Sequence, residues 1–201
     1  PLPTAIAISP TPDPVKPRLW VSPALPAGCR EGLRLPAGWE LASNQLNATL
    51  QLEVPSRGNL PLIQLPKTAP LSYWVYALVA PFPTVEDEIS LDSIRRAWQG
   101  DLSDAPGNHP LLLSTETQAV FNRVWGPSSS DGVKALEAGE ILDSAWEDQA
   151  GWAIIPFEEI EPRWKVLNVD GRSPLEQEFA EQEYPLAIPI WLTGQPAALE
   201  Q

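Results

Sequence analysis

The sequence is poor in the side chains that usually bind metals or attack substrates. It has one cysteine, Cys29, one histidine, His109, and no methionine among 201 residues. A single thiol excludes an internal disulfide. One thiol and one histidine argue against a zinc centre, which takes three or four Cys, His or carboxylate ligands. So few cysteines suit a reduced cytosol, and equally a bacterial secreted protein that relies on its core. Without methionine the first residue is not an initiator, so the chain is expected to be processed or to be a segment of something longer. Positive charge is scarce as well. There are 13 Lys and Arg against 26 Asp and Glu, a net charge of -13. An acidic surface repels nucleic acid and anionic lipid, and both are discounted as partners. Solubility alone also accounts for the acidity. No apolar run reaches the roughly 20 residues of a membrane span. Also missing are a Gly-rich phosphate loop and a G-x-S-x-G serine elbow, and no cofactor is expected.

The chain does hold 43% hydrophobic residues, nine tryptophans and 24 prolines. The first two promise a sizeable core for one medium domain or two small halves. The prolines promise many loops. Residues 1–17, PLPTAIAISPTPDPVKP, read as an extended, mobile linker.

Periodicity then alternates strands and helices, and no internal repeat is evident. Strands are expected at 18–22, 39–42, 45–54, 60–65 and 72–80, the last apolar on both faces and so buried on both. A short helix fits 26–35, weakened by Gly28 and Gly32. Residues 90–100, SLDSIRRAWQG, form a second helix, with Ser90 as N-cap, Asp92 on the dipole and Gly100 at the C-terminus. Leu111–Leu113 is a short strand. A helix over 115–125 has Thr115 and Gln118 at capping-box spacing. Residues 126–132 form a loop, 139–149 a helix, 151–156 a strand and 164–169 another. Asp170-Gly171 is a turn, Ser173-Pro174 opens an acidic helix that Tyr184-Pro185 stops, and 186–191 is a buried strand. Few hairpin signals follow Ser72, which indicates an α/β fold.

The run 165–191, KVLNVDGRSPLEQEFAEQEYPLAIPIW, carries more than a pattern. A strand ending V-D-G, then S-P, an acidic segment and Y-P-L-A-x-P-I resembles the C-terminal part of phosphate-type substrate-binding proteins, of the type 2 periplasmic-binding-protein family. The likeness extends over about 72–191 and is weak before Ser72. It implies two lobes joined by crossing strands, mixed sheets with flanking helices, and a first lobe smaller than the family's. The lobes would be 18–80 plus 186–194 and 81–185, with a polar tail at 195–201. VYALVAPFPT, AWQG and WAIIPFEEIEPRWKVLNVDG further resemble the domain preceding the catalytic region of some bacterial CapA-type proteins, implicated in poly-γ-glutamate synthesis. That likeness implies an extracytoplasmic setting, through a secretion signal or lipid anchor, and a catalytic region beyond Gln201.

In α/β proteins of this kind ligands sit at the carboxyl ends of strands, beside helix N-termini. The candidate ligand-binding residues are therefore Ser22, Ser43, Asn44, Thr84, Ser114, Thr115 and Thr117. Ordinary capping explains each of them singly. Phosphate-type members carry a Ser-Gly-Thr-Arg-like motif where this chain reads STETQ. The arginine clamp is missing, and Glu116 competes with an anion, so the likeness does not bring phosphate binding with it. A ligand would be neutral, cationic or peptide-like. Glu158, Glu159 and Glu161 read as a solvated acidic edge, His109 as a surface histidine, and most tryptophans as core. One or two tryptophans at a lobe interface would stack a ligand.

Two functions follow. One is a non-catalytic, monomeric module recognising a small solute or polymer segment for an attached enzyme. The other is a structural or interaction domain that keeps the fold without the ligand. A polar cleft with Ser22 facing Ser114 would favour the first, and one plugged by Trp or Leu the second.

Overall fold

Residues 72–81, SYWVYALVAP, form the longest strand and change neighbours half-way along it. The computed structural model describes residues 16–56, 69–147 and 151–194. In chain order the strands are β1 (Arg18–Val21), β2 (Glu40–Leu41), β3 (Leu50–Glu53), β4 (Ser72–Pro81), β5 (Glu88–Ile89), β6 (Leu111–Ser114), β7 (Val133–Leu136), β8 (Trp152–Pro156), β9 (Trp164–Val166), β10 (Asn168–Val169) and β11 (Ala187–Gly194). The α-helices are α1 (Ala27–Gly32), α2 (Leu91–Trp98), α3 (Thr115–Trp125) and α4 (Ile141–Glu147).

One sheet runs in the order β2-β1-β3-β11-β4-β8-β6-β7, with β9 also on β4. Two crossing strands hold it together. β4 pairs antiparallel with β11 from Ser72 to Val75, then with β8 from Tyr76 to Val79 and with β9 from Val79 to Pro81. β11 pairs with β4 over Ala187–Ile190 and with β3 over Trp191–Gly194. The outer strands are parallel on each side, β2-β1-β3 at one end and β8-β6-β7 at the other. Parallel strands need crossovers, and helices supply them.

Alternation along β4 sorts the core. Tyr76, Leu78 and Ala80 join Leu111, Leu113, Trp152 and Ile154 in a cluster packed under α2 and α3. Ala77 and Val79 join Leu112, Ala153 and Ile155 against Ile141, Leu142 and Ala145 of α4. The period of two sends neighbouring residues to opposite faces, so a strand apolar throughout is covered on both. Helices flank the sheet on both sides. Among the described residues no helix is long and apolar enough to cross a membrane.

Local signals fixed α2 well. Ser90 Oγ accepts from Ser93 N–H (3.0 Å), Asp170 Oδ1 accepts from Leu91 N–H (3.0 Å), and Gly100 takes φ +99° just past the end. Elsewhere tertiary context overrode them. The acidic segment after Ser173-Pro174 is no α-helix. It makes turns and a single 3-10 turn at Glu181–Glu183. Its carboxylates repel, Leu175 is exposed, and no apolar stripe repays so short a helix. The strand expected over 164–169 is split at Leu167. β9 follows β4, whereas β10 leaves for a separate two-stranded ribbon with β5. Residues 45–47 form a 3-10 turn capped by Asn44 Oδ1, with Leu46 fully in solvent, so the strand there shortens to β3. Nor does Thr115 cap α3. Ser114 does so, with its Oγ accepting from Thr117 N–H (3.0 Å), while Gln118 reaches Ser128 (2.9 Å). Trp146 stays partly exposed. The strand expected at 60–65, most of the 1–17 linker and the 195–201 tail lie outside the described residues.

Candidate functional site

The carboxyl ends of β6, β7 and β8 open on the same side as the start of α1. There they enclose a cleft of about 270 Å³. Pro26, Ala27 and Gly28 form one wall, and Ser114, Thr115, Glu116 and Thr117 at the start of α3 face them. Leu136, Glu137 and Ala138 after β7, and Pro156, Glu158 and Glu159 after β8, complete the rim. Trp74 and Tyr76 of β4 make the floor, since Tyr76 pairs with Pro156 in register.

The lining is acidic. Four carboxylates, Glu116, Glu137, Glu158 and Glu159, border it, with no lysine, arginine or histidine among the described lining residues. Glu116 is already engaged. Its Oε1 accepts from Ala27 N–H and from Arg30 Nη2 (3.3 Å), while Arg30 Nε donates to the Leu25 carbonyl (3.0 Å). This carboxylate therefore ties the start of α3 to α1 across the cleft. A side chain at Gly28 would be crowded here. A Cβ would stand 3.0 Å from the Trp74 ring and 3.4 Å from Glu158 Oε1.

Burial and mutual repulsion shape the titration. Partial burial of a largely exposed side chain, then Glu158 and Glu116, hold the Glu159 carboxyl above the ordinary glutamate value. Burial, then Glu116, Glu158 and Glu159, push the Tyr76 phenol far up, so it keeps its proton. Tyr76 is 1% exposed and lines the cleft from within β4. A folded-state pKa raised above the unfolded one means the folded chain binds the Glu159 proton more tightly. That contribution to stability is present below the unfolded value and is lost as pH rises through the folded one. Glu159→Gln is therefore expected to melt higher than the parent at pH 7, with the advantage shrinking toward pH 4. Paired thermal scans at the two pH values measure it, and an equal offset at both would refute the assignment.

The sequence-derived candidates separate. Ser114, Thr115 and Thr117 line the cleft, although Ser114 Oγ–H donates to Thr117 Oγ1 (2.9 Å) and both hydroxyls are already engaged. Ser22 is buried in its own turn, its Oγ accepting from Ala24 N–H (3.2 Å), and it does not line the cleft. Ser43 and Asn44 follow the edge strand β2, where Asn44 caps a 3-10 turn. Thr84 follows the far end of β4, its carbonyl accepting from Lys165 Nζ (2.8 Å). Glu158 and Glu159 are exposed as expected, but they edge the cleft. The strand-end rule applied to β8 and β7 would have found Glu158, Glu159 and Glu137. Tyr76, the second of two tyrosines in β4 and the one set in its apolar half, was the signal there.

No protein-family model matches the chain. No curated protein sequence matches it significantly. Solved structures do. An ABC-type phosphate transport receptor from Vibrio cholerae superposes with TM-score 0.58 at 13% identity, covering 77% of this chain and 74% of that one. A possible phosphate binding protein from Planctomyces limnophilus gives TM-score 0.57 at 13% identity, over 92% and 82%. The fold is that of a type 2 periplasmic binding protein. In this type 2 fold the crossing pair β4 and β11 sets the cleft between the two ends of the sheet. Identity this low carries the fold and nothing about the ligand.

Proposed function

We propose that the chain is an extracytoplasmic, non-catalytic solute-binding module that recognises a small solute or polymer segment in the cleft. Its lobes are residues 18–80 plus 186–194 and residues 81–185. The observation that carries this reading is the place of the cleft. It lies at strand carboxyl ends, beside the start of α3, with polar groups around an aromatic floor. The phosphate-binding neighbours support the extracytoplasmic setting. Ser114, Thr115 and Thr117 form the ligand wall. Ser22, Ser43, Asn44 and Thr84 stay outside the cleft lining and act as structural caps and turns.

One observation favours a second reading, a structural or interaction domain attached to a CapA-type enzyme downstream. Glu116 already fills the anchoring position between α1 and α3. A carboxylate of the protein that links α1 to α3 can fix the two sides of the cleft without a ligand.

A thermal-shift panel of phosphate, sulfate, amino acids, glutamyl peptides and sugars separates the readings. A ligand at a hundred times its Kd adds about 2.7 kcal/mol. For a chain of this size that raises Tm by about 5–11 °C. A reproducible shift for one class is expected. A flat panel would leave the interaction domain.

A further inference from the structure

We propose that the Ala27 N–H and the Arg30 guanidinium form a carboxylate subsite on one wall of the cleft, and that Glu116 of the same chain occupies it as a tethered substitute for a free anion. Glu116 thereby decides what the cleft refuses, because a small anion finds both donors taken. This holds whether the cleft takes a solute or serves as an interface.

The donors suit one carboxylate. Arg30 is held in place from behind, since its Nε donates to the Leu25 carbonyl (3.0 Å) while Nη2 reaches Glu116 Oε1 (3.3 Å). The same oxygen accepts from Ala27 N–H. α1 has only six residues, so its end attracts an anion weakly and the guanidinium supplies the charge. A guanidinium and a backbone N–H on one oxygen are the charge-assisted donors that carboxylates take.

The occupant comes from the opposite wall. Glu116 lies in the first turn of α3, 86 positions from Arg30 in the chain. Tethering gives it an effective concentration of millimolar order or above. A free anion would in addition meet Glu137, Glu158 and Glu159 on the rim. The internal carboxylate therefore outcompetes a dissolved one. The pair is only half-buried, with 43% and 44% of the two side chains exposed, so a small anion can reach the donors once Glu116 is removed.

α3 is tied across the sheet at its other end as well. Arg123 in its last turn donates through Nε to the Val54 carbonyl (2.7 Å) and through Nη2 to Glu53 Oε2 (3.3 Å), where β3 ends. Arg123 does not line the cleft. It makes a tie of similar kind with no anion position in it, which supplies a control.

The probe is sodium acetate on the full chain, with sodium chloride at equal ionic strength beside it. Glu116→Ala should melt about 1–4 °C below the parent, the loss of one half-exposed charged pair. Acetate at about ten times its Kd should raise the Tm of that variant by about 3–6 °C, saturably, and leave the parent unmoved. Glu116→Gln keeps the volume and one acceptor oxygen, so acetate should not shift it. Adding Arg30→Met to Glu116→Ala should abolish the rescue, and Arg123→Met should melt lower than the parent without rescue. Equal acetate shifts in the parent and in Arg123→Met, or rescue that survives the loss of Arg30, overturn the proposal. So does a Glu116→Ala variant that acetate leaves unmoved. Should that variant fail to fold, Glu116→Gln, Arg30→Met and their double variant decide: overlapping losses of Tm support the contact, and fully additive ones overturn it. Solute binding is judged apart from this, on the parent protein in the thermal-shift panel.

Discussion

Trp98→Ala should cost about 3–5 kcal/mol of stability, the range for removing a large aromatic from a packed core. Trp98 is fully buried at the end of α2 and lies against Phe121 (6.1 Å) and edge-on to Trp125 (5.4 Å). Phe121 in turn meets Tyr76 edge-on at 5.0 Å. The cluster thus runs from α2 through α3 to the strand that floors the cleft. Its indole Nε1–H also donates to the Gly126 carbonyl (2.9 Å), which closes the end of α3. Alanine would remove both the ring and that bond. Trp98→Phe keeps most of the apolar area and leaves the carbonyl unpaired, so a loss of about 1–3 kcal/mol is expected. Urea denaturation of the three proteins should order them parent, phenylalanine, alanine. A phenylalanine variant as weak as alanine would show that the hydrogen bond, and not packing, dominates. Because domains of this kind hold only about 5–15 kcal/mol in all, the alanine variant would be substantially unfolded near its lower limit.

Gly132→Ala is expected to cost about 3 kcal/mol or more, at the top of the range for overpacking. A Cβ at Gly132 would stand 1.8 Å from the Ala97 carbonyl oxygen and 2.8 Å from the Gly100 nitrogen. Both are backbone atoms and cannot rotate away. Gly132 also supplies the carbonyl that accepts from Leu111 N–H (2.9 Å), so moving it disturbs the first pairing of β6 with β7. The end of α2 and the start of β7 are in contact only because this residue has no side chain. Gly139→Ala is the control. Nothing lies within 4 Å of its Cβ position, and it should be neutral or stabilising by about 0.4–1 kcal/mol. Denaturation midpoints that fall equally for both would point to backbone entropy in place of the close approach.

Elements whose cause is local were legible. Ser90, Asp92 and Gly100 bracket α2 by capping and dipole chemistry that needs no partner. The apolar run of β4 was expected to be buried on both faces throughout, and it is so from Tyr76 to Pro81, while Ser72 is exposed and Tyr73, Trp74 and Val75 are half-buried. Asp170 and Gly171, with φ of +50° and +73°, turn the chain where the sequence placed a turn. Elements whose cause is distant were not. β7, β5 and the split between β9 and β10 exist because particular neighbours hydrogen-bond to them. The acidic run after Ser173 has helix-forming residues but no surface to bury, and only the packing could show that. Ser114 and Thr117 were correctly placed at the start of α3. Whether their hydroxyls face each other or a ligand depends on one rotamer.

By itself the sequence determined that this chain is an α/β protein with a buried crossing strand, one cysteine, an acidic surface and no arginine at the start of α3. Each of these follows from residue type and spacing, which act over a few positions. Only the tertiary structure decided that Glu116 spans to Ala27 and Arg30, residues 89 and 86 positions away in the chain. It alone brought Glu137, Glu158 and Glu159 to one rim above Tyr76. Strand order and register set those distances, and they are fixed by the mutual burial of surfaces far apart in sequence.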